Sequence, residues 1–150
     1  MIVDPSVLVA IITGESDAAV LARALSRAST IRLSAASFVE LAAVVDGRRN
    51  PVLSGAIDEL LATWRIEVAP FTVRQAQLAR EAYQRFGRGS GHPAQLNMGD
   101  CFSYALARDL GEPLLFKGND FALTDVELLV EPVKNRRLSE VVAAYAAEGG

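Results

Sequence analysis

The chain has 150 residues, 51% of them hydrophobic, with a formal net charge of −3 and a single cysteine. That hydrophobic share excludes a disordered polymer, and one cysteine excludes an internal disulfide or a cysteine-based metal site. The acidic balance argues against a simple basic nucleic-acid binder, unless carboxylates gather round cations that invert the local charge.

The chain opens on "MIVD", an apolar run fit for a buried strand. No basic stretch or cleavage site accompanies it, so no secretory signal is expected. No run approaches the ~18 apolar residues of a membrane span, and a cytoplasmic protein is the expectation. Asp4-Pro5-Ser6 reads as a helix start, with Asp4 capping and Pro5 at the first helical position; that helix should stop near Gly14. "DAAVLARALSRA" places Val20, Leu21, Ala24 and Leu25 at helical spacing. "TIRLS" is a second strand. "SFVELAAVVDG" is a helix ending at Gly47, and Ser37-x-x-Glu40 has the pattern of a capping box. Pro51 opens the helix "PVLSGAIDELLATW", whose inner stripe is Leu53, Ile57, Leu60, Leu61 and Trp64.

"IEVA" is a third strand and "TVRQAQLAREAYQRFG" a helix. The glycine-rich "GRGSGHPAQ" is a loop. A helix around "GDCFSYALARDLG" follows, then the strands "PLLFKG" and "VELLVEP", which bring the expected sheet to about five strands. Residues 1–131 read as one domain. The tail, residues 132–150, contains "RRLSEVVAAYAA", with Leu138, Val141, Val142 and Tyr145 at helical spacing; its role stays open. Strands alternating with helices imply an α/β fold, a parallel sheet flanked by helices. In such sheets ligands bind outside the carboxyl ends of the strands.

Four acidic residues fall at that edge. Asp4 ends the first strand, Asp120 follows the "PLLF" strand, Asp100 begins a helix and Glu40 lies early in its own. Each has an ordinary structural explanation: a cap for Asp4, Asp100 and Glu40, a turn for Asp120. Glu40 strains that explanation. Its helix is apolar nearly all round, so burial is expected, and no lysine or arginine lies within a turn of it. A buried carboxylate must be paired, protonated or bound to metal. Gathered carboxylates raise one another's pKa unless a cation holds them. Mg²⁺ and Mn²⁺ prefer oxygen ligands, and such a cluster suits phosphodiester hydrolysis.

"MIVDPSVLVAI", "SAASFVEL", "GRGSGHPAQLNMGDCFSYALA" and "PLLFKGNDFALTDV" occur in that order. Together they resemble the VapC toxins, ribonucleases of the PIN-domain family. The resemblance spans about residues 1–130. It implies a PIN-like fold, Mg²⁺- or Mn²⁺-dependent endoribonuclease activity, and a VapB-type antitoxin as partner. It also implies an acidic set of Asp4, Glu40, Asp100 and Asp120, serving as both metal ligands and catalytic residues. Ser6 is kept as a supporting residue. Pro5 stands where the family usually has threonine or another small residue, and Asn119 where relatives often have a second aspartate. Arg85, Arg88, His92 and Lys117 are candidates for holding the RNA backbone, with a solvated surface role as the alternative for each. A homodimer is expected.

Competing chemistries fit less well. A haloacid-dehalogenase-type phosphatase needs a second aspartate where Ser6 stands. A response-regulator receiver needs an aspartate after its third strand, and "IEVAPFT" has none. A non-catalytic PIN-fold module that binds RNA or another partner is the alternative from another class.

Overall fold

In the computed structural model, residues 1–129 are described; the tail call at 132–150 lies outside the described residues. The apolar runs form four short parallel strands: β1 (Ile2–Val3), β2 (Arg32–Ser34), β3 (Glu67–Ala69) and β4 (Leu114–Leu115). Their order is β3-β2-β1-β4. Ile2 registers with Arg32 on one side and Leu114 on the other. Among the described residues the expected sheet of about five strands has four. The described part of "VELLVEP" contributes a single parallel bridge, Leu114 with Leu128, beside β4. Val126 turns into the core. The Glu127 carbonyl and the Leu129 N–H bracket Leu114.

Alternation along the strands divides the core into two layers. Val3, Leu33 and Leu115 face one layer, packed by α1 (Pro5–Ile12), α2 (Ala18–Arg27), α3 (Ala35–Asp46) and α4 (Pro51–Thr63). Ile2 and Leu114 face the other, packed by α5 (Val73–Phe86) and α6 (Met98–Leu110). The helix boundaries follow local chemistry. Asp4 caps α1 with Pro5 at its first position. Asn50 and Pro51 do the same for α4, and Gly111, left-handed at φ 63, closes α6.

The start of α3 differs from expectation. Ser34, not Ser37, is its cap, accepting the Ala36 N–H at 3.3 Å. Helix begins as soon as β2 ends, so Ser37 already lies inside the first turn, buried, with its hydroxyl 3.4 Å from that of Ser103. The Ser37–Glu40 capping box does not form. Nor is α3 buried all round: Val39 is 65% exposed and Val44 46%.

Leu33 sits fully buried on the central strand β2. Leu33→Ala should lower the unfolding free energy by about 2–5 kcal/mol through lost transfer energy and a residual cavity; urea unfolding of the two proteins measures it.

Candidate active site

From β1 the chain crosses to β2 and then β3 on one side, whereas β4 lies on the other side of β1. The connections therefore diverge between β1 and β4, leaving a crevice at their carboxyl ends. A pocket of about 430 Å³ opens there, with Asp4, Ser6, Glu40, Asp100, Lys117 and Asp120 in its walls.

Each wall residue is placed by its element. Asp4 leaves β1 with its N–H bonded to the Leu115 carbonyl at 2.9 Å, which pins it between β1 and β4. Its carboxylate is buried. Oδ2 accepts the Ser6 N–H at 3.0 Å, and Oδ1 accepts the Ser103 hydroxyl at 2.6 Å. Asp100 is in the first turn of α6, in a reciprocal capping box with Asn97. The Asn97 N–H donates to Asp100 Oδ2 at 2.8 Å, and the Asp100 N–H donates to Asn97 Oδ1 at 2.9 Å. Asp100 thus caps with one carboxylate oxygen and keeps the other for the pocket. Glu40 enters from α3, half-buried against the first turn of α6. Asp120 opens a 3-10 turn, Asp120–Leu123, and is exposed at the rim.

The expected supporting and basic residues divide. The Ser6 hydroxyl accepts the Lys117 N–H at 3.1 Å, tying α1 to the segment after β4. Asn119 is exposed, caps nothing with its side chain and is not in the pocket wall. Lys117 reaches the rim, but its ammonium pairs with Glu15 and, at 3.0 Å, with Asp17. Arg85 lies outside the pocket, 3.2 Å from Asp125 and stacked over the Phe86 ring at 4.5 Å. The His92 ring packs edge-on to Phe86, and its Nδ1 accepts the Ala94 N–H at 3.1 Å. It fastens the glycine-rich loop. Arg88 is exposed in the same loop, away from the pocket wall.

Sequence reasoning missed Ser103 and Asn97. Both had a signal. Ser103 is a polar residue inside the apolar "CFSYALA", one turn after Asp100 and so on the same helical face. Asn97-x-x-Asp100 has the spacing of a capping box.

Residues 1–127 match the PIN domain family. The chain belongs to the PIN-domain family. Within it, Ribonuclease VapC28 of Mycobacterium tuberculosis is 58% identical over 127 residues, covering 85% of this chain and 96% of that protein. Ribonuclease VapC42 of the same species is 52% identical over 126 residues, covering 84% and 96%. This PIN domain is also similar in fold to the crystal structure of M. tuberculosis VapC20, described as a toxin that cleaves the sarcin-ricin loop. The TM-score is 0.67 at 18% identity, over 87% of this chain and 98% of that one.

The electrostatics of this PIN-domain crevice are those of crowded acids. Burial pushes the Asp4 carboxyl up, opposed by the donors Ser103 and Ser6 and reinforced by the charge of Asp120. Burial also raises Glu40, with Asp4 adding repulsion. Asp100 is pushed up to about 7 by burial; the Asn97 N–H opposes this, and the charges of Asp4, Asp120 and Glu40 add to it. The donor set is oxygen only, and Lys117, the sole lysine or arginine among the described residues of the pocket wall, is turned to other acids. That chemistry fits a hard divalent ion. Among the described residues no three His, Cys, Asp or Glu side chains are gathered tightly enough to hold an ion alone. A spread set of this kind matches Mg²⁺, which is usually bound through one or two carboxylates, waters and substrate phosphates.

In chelator, Asp100 binds its proton more tightly in the folded protein, at about 7, than at the ordinary value of 3.8. Its contribution to stability is full below the ordinary value and is lost as pH rises through 7. Asp4 and Glu40, also raised, slope the same way. Metal-free protein should therefore lose stability between about pH 5 and about pH 8, and Asp100→Asn should flatten that loss. The gain at the upper pH should be about 1–2 kcal/mol, after allowing for solvent screening of this partly exposed group. Urea melts of both proteins at the two pH values decide it; parallel curves would contradict the burial of Asp100.

Proposed function

We propose that this chain is a metal-dependent endoribonuclease and the toxin of a type II VapBC toxin–antitoxin pair, acting in the cytoplasm. The observation that carries the proposal is the crevice itself: four carboxylates at the sheet's switch point with, among the described residues, no free cation in its wall. Asp4, Glu40, Asp100 and Asp120 would hold Mg²⁺ or Mn²⁺. When bound, such an ion supplies Lewis-acid charge for phosphodiester hydrolysis and for the departing oxygen.

The protein's own contribution is placement. Ser103 and the Ser6 N–H fix both oxygens of Asp4, so this carboxylate is oriented before anything binds. The capping box fixes Asp100 in the same way. Asp120, at the exposed rim, would complete the metal-holding set from the solvent side. Lys117 and the exposed Arg88 are the residues to hold RNA backbone phosphates. Lys117 does so by exchanging Glu15 and Asp17 for the nucleic acid. Arg85 and His92 serve the structure around Phe86 instead.

The partner follows from charge. A structure similar in fold, at a TM-score of 0.64, 15% identity and 85% and 95% coverage, is a toxin–antitoxin complex from Klebsiella pneumoniae. For this chain a VapB-type antitoxin would insert an arginine or lysine into the acidic crevice.

Asp100→Asn should keep the fold and cut RNA at least ~100-fold more slowly, the scale of losing one transition-state-stabilising group. The measurement is cleavage of total RNA with chelator, Mg²⁺ and Mn²⁺. Wild-type cleavage in chelator would remove the metal from the proposal. RNA binding without cleavage under any metal would favour the non-catalytic module.

Co-expression with the adjacent small gene tests the partner. The expected complex is inactive on RNA, with its activity restored when the inserted basic residue is replaced. A complex as active as the free protein would count against blockade of the crevice.

A further inference from the structure

We propose that Gly99 is a positioning residue for Glu40: the absent side chain at this point of α6 makes the slot in which the Glu40 carboxylate stands. A Cβ on Gly99 would lie 2.2 Å from each carboxylate oxygen of Glu40 and 2.4 Å from its Cδ, far inside contact distance. Backbone geometry does not call for glycine here. Gly99 is inside the helix Met98–Leu110 and is not among the positive-φ residues. Glycine within a helix is otherwise unfavourable. The need is therefore for space. The slot also brings Glu40 to the positive end of α6, where a carboxylate is favoured beside two other acids that repel it.

The atoms that would collide are the far end of a flexible side chain, so a methyl at this position displaces Glu40 and spares the fold. The inference rests on the reading of Glu40 as a metal ligand.

The test is Mn²⁺ binding, followed by the paramagnetic resonance signal of the free ion, with thermal melts of each protein in chelator. Gly99→Ala should bind Mn²⁺ about tenfold more weakly, the scale of losing a residue that orients a ligand. Its metal-free melting temperature should be unchanged or higher, because alanine is the better helix former. Glu40→Ala should weaken binding too, and adding Gly99→Ala to it should cost nothing more. Glu40→Asp combined with Gly99→Ala should recover part of the loss, because the shorter side chain draws back from the methyl. Parent-like binding by Gly99→Ala, with Glu40→Ala weakened, would overturn the role of Gly99 and leave the proposed function standing. An equal further loss in the Glu40→Ala background would overturn it as well. Parent-like binding by Glu40→Ala would overturn both.

Discussion

The crevice depends on a carboxylate buried without a countercharge. Asp4 leaves the central strand β1 with its charge out of water, and its two protein partners are a hydroxyl and a backbone N–H, both neutral. Neutral donors offset only part of the cost of burying a charge, which is why Asp4 still titrates above its ordinary value. The sheet enforces the placement. The Asp4 N–H is committed to Leu115 on β4, and Pro5 behind it is committed to α1. The carboxylate cannot swing to solvent without giving up its bonds to the Ser6 N–H and the Ser103 hydroxyl. A fold that holds an acid this way stores a preference for whatever cation reaches it.

Among the described residues, the nearby cations are arranged so that none relieves this preference. Lys117 is closest, and Glu15 and Asp17 hold its ammonium at the rim. Arg85 answers Asp125, which also accepts the Tyr104 hydroxyl at 2.5 Å. At the opposite end of the strands, Glu112 gathers the Met1 amino group and Arg32. Local pairing of this kind leaves the crevice acidic although the chain as a whole is only mildly so. The net charge of −3 therefore says little about RNA; the distribution decides. An anionic polymer approaching this edge meets repulsion, which a bound divalent ion would relieve; under the proposed function that would couple substrate to metal.

Much of this was legible in the sequence, for identifiable reasons. Asp4-Pro5 at the end of an apolar run is a strand-to-helix junction on local chemistry alone, and the alternation of elements gives the parallel sheet. The gathering of Asp4, Glu40, Asp100 and Asp120 follows from topology once the sheet is parallel. What failed was choosing between equivalent local signals. "SAAS" offers two serines with capping chemistry, and only the end of β2 at Ser34 decides between them. Long-range pairings were invisible for the same reason: Arg85 with Asp125 and Lys117 with Glu15 join residues 40 and 102 positions apart. Of the expected fifth strand "VELLVEP", the described residues form a single bridge, Leu128 with Leu114.

The departure at Pro5 shows how the site keeps its hydrogen bonds with a different residue. A threonine or serine there would offer both an N–H and a hydroxyl beside Asp4, and proline offers neither. The N–H is no loss, because Pro5 occupies the first helical position, where that group has no partner within the helix. The capping bond to Asp4 comes instead from the Ser6 N–H at 3.0 Å. The hydroxyl is supplied from another element. Ser103 on α6 donates to Asp4 at 2.6 Å and stands 3.4 Å from Ser37 on α3. One buried contact therefore joins β1, α6 and α3, the same three elements that carry Asp4, Asp100 and Glu40. The residue that orients the first acid also fixes the spacing of the helices that bear the other two, and the geometry of the crevice is a property of that packing.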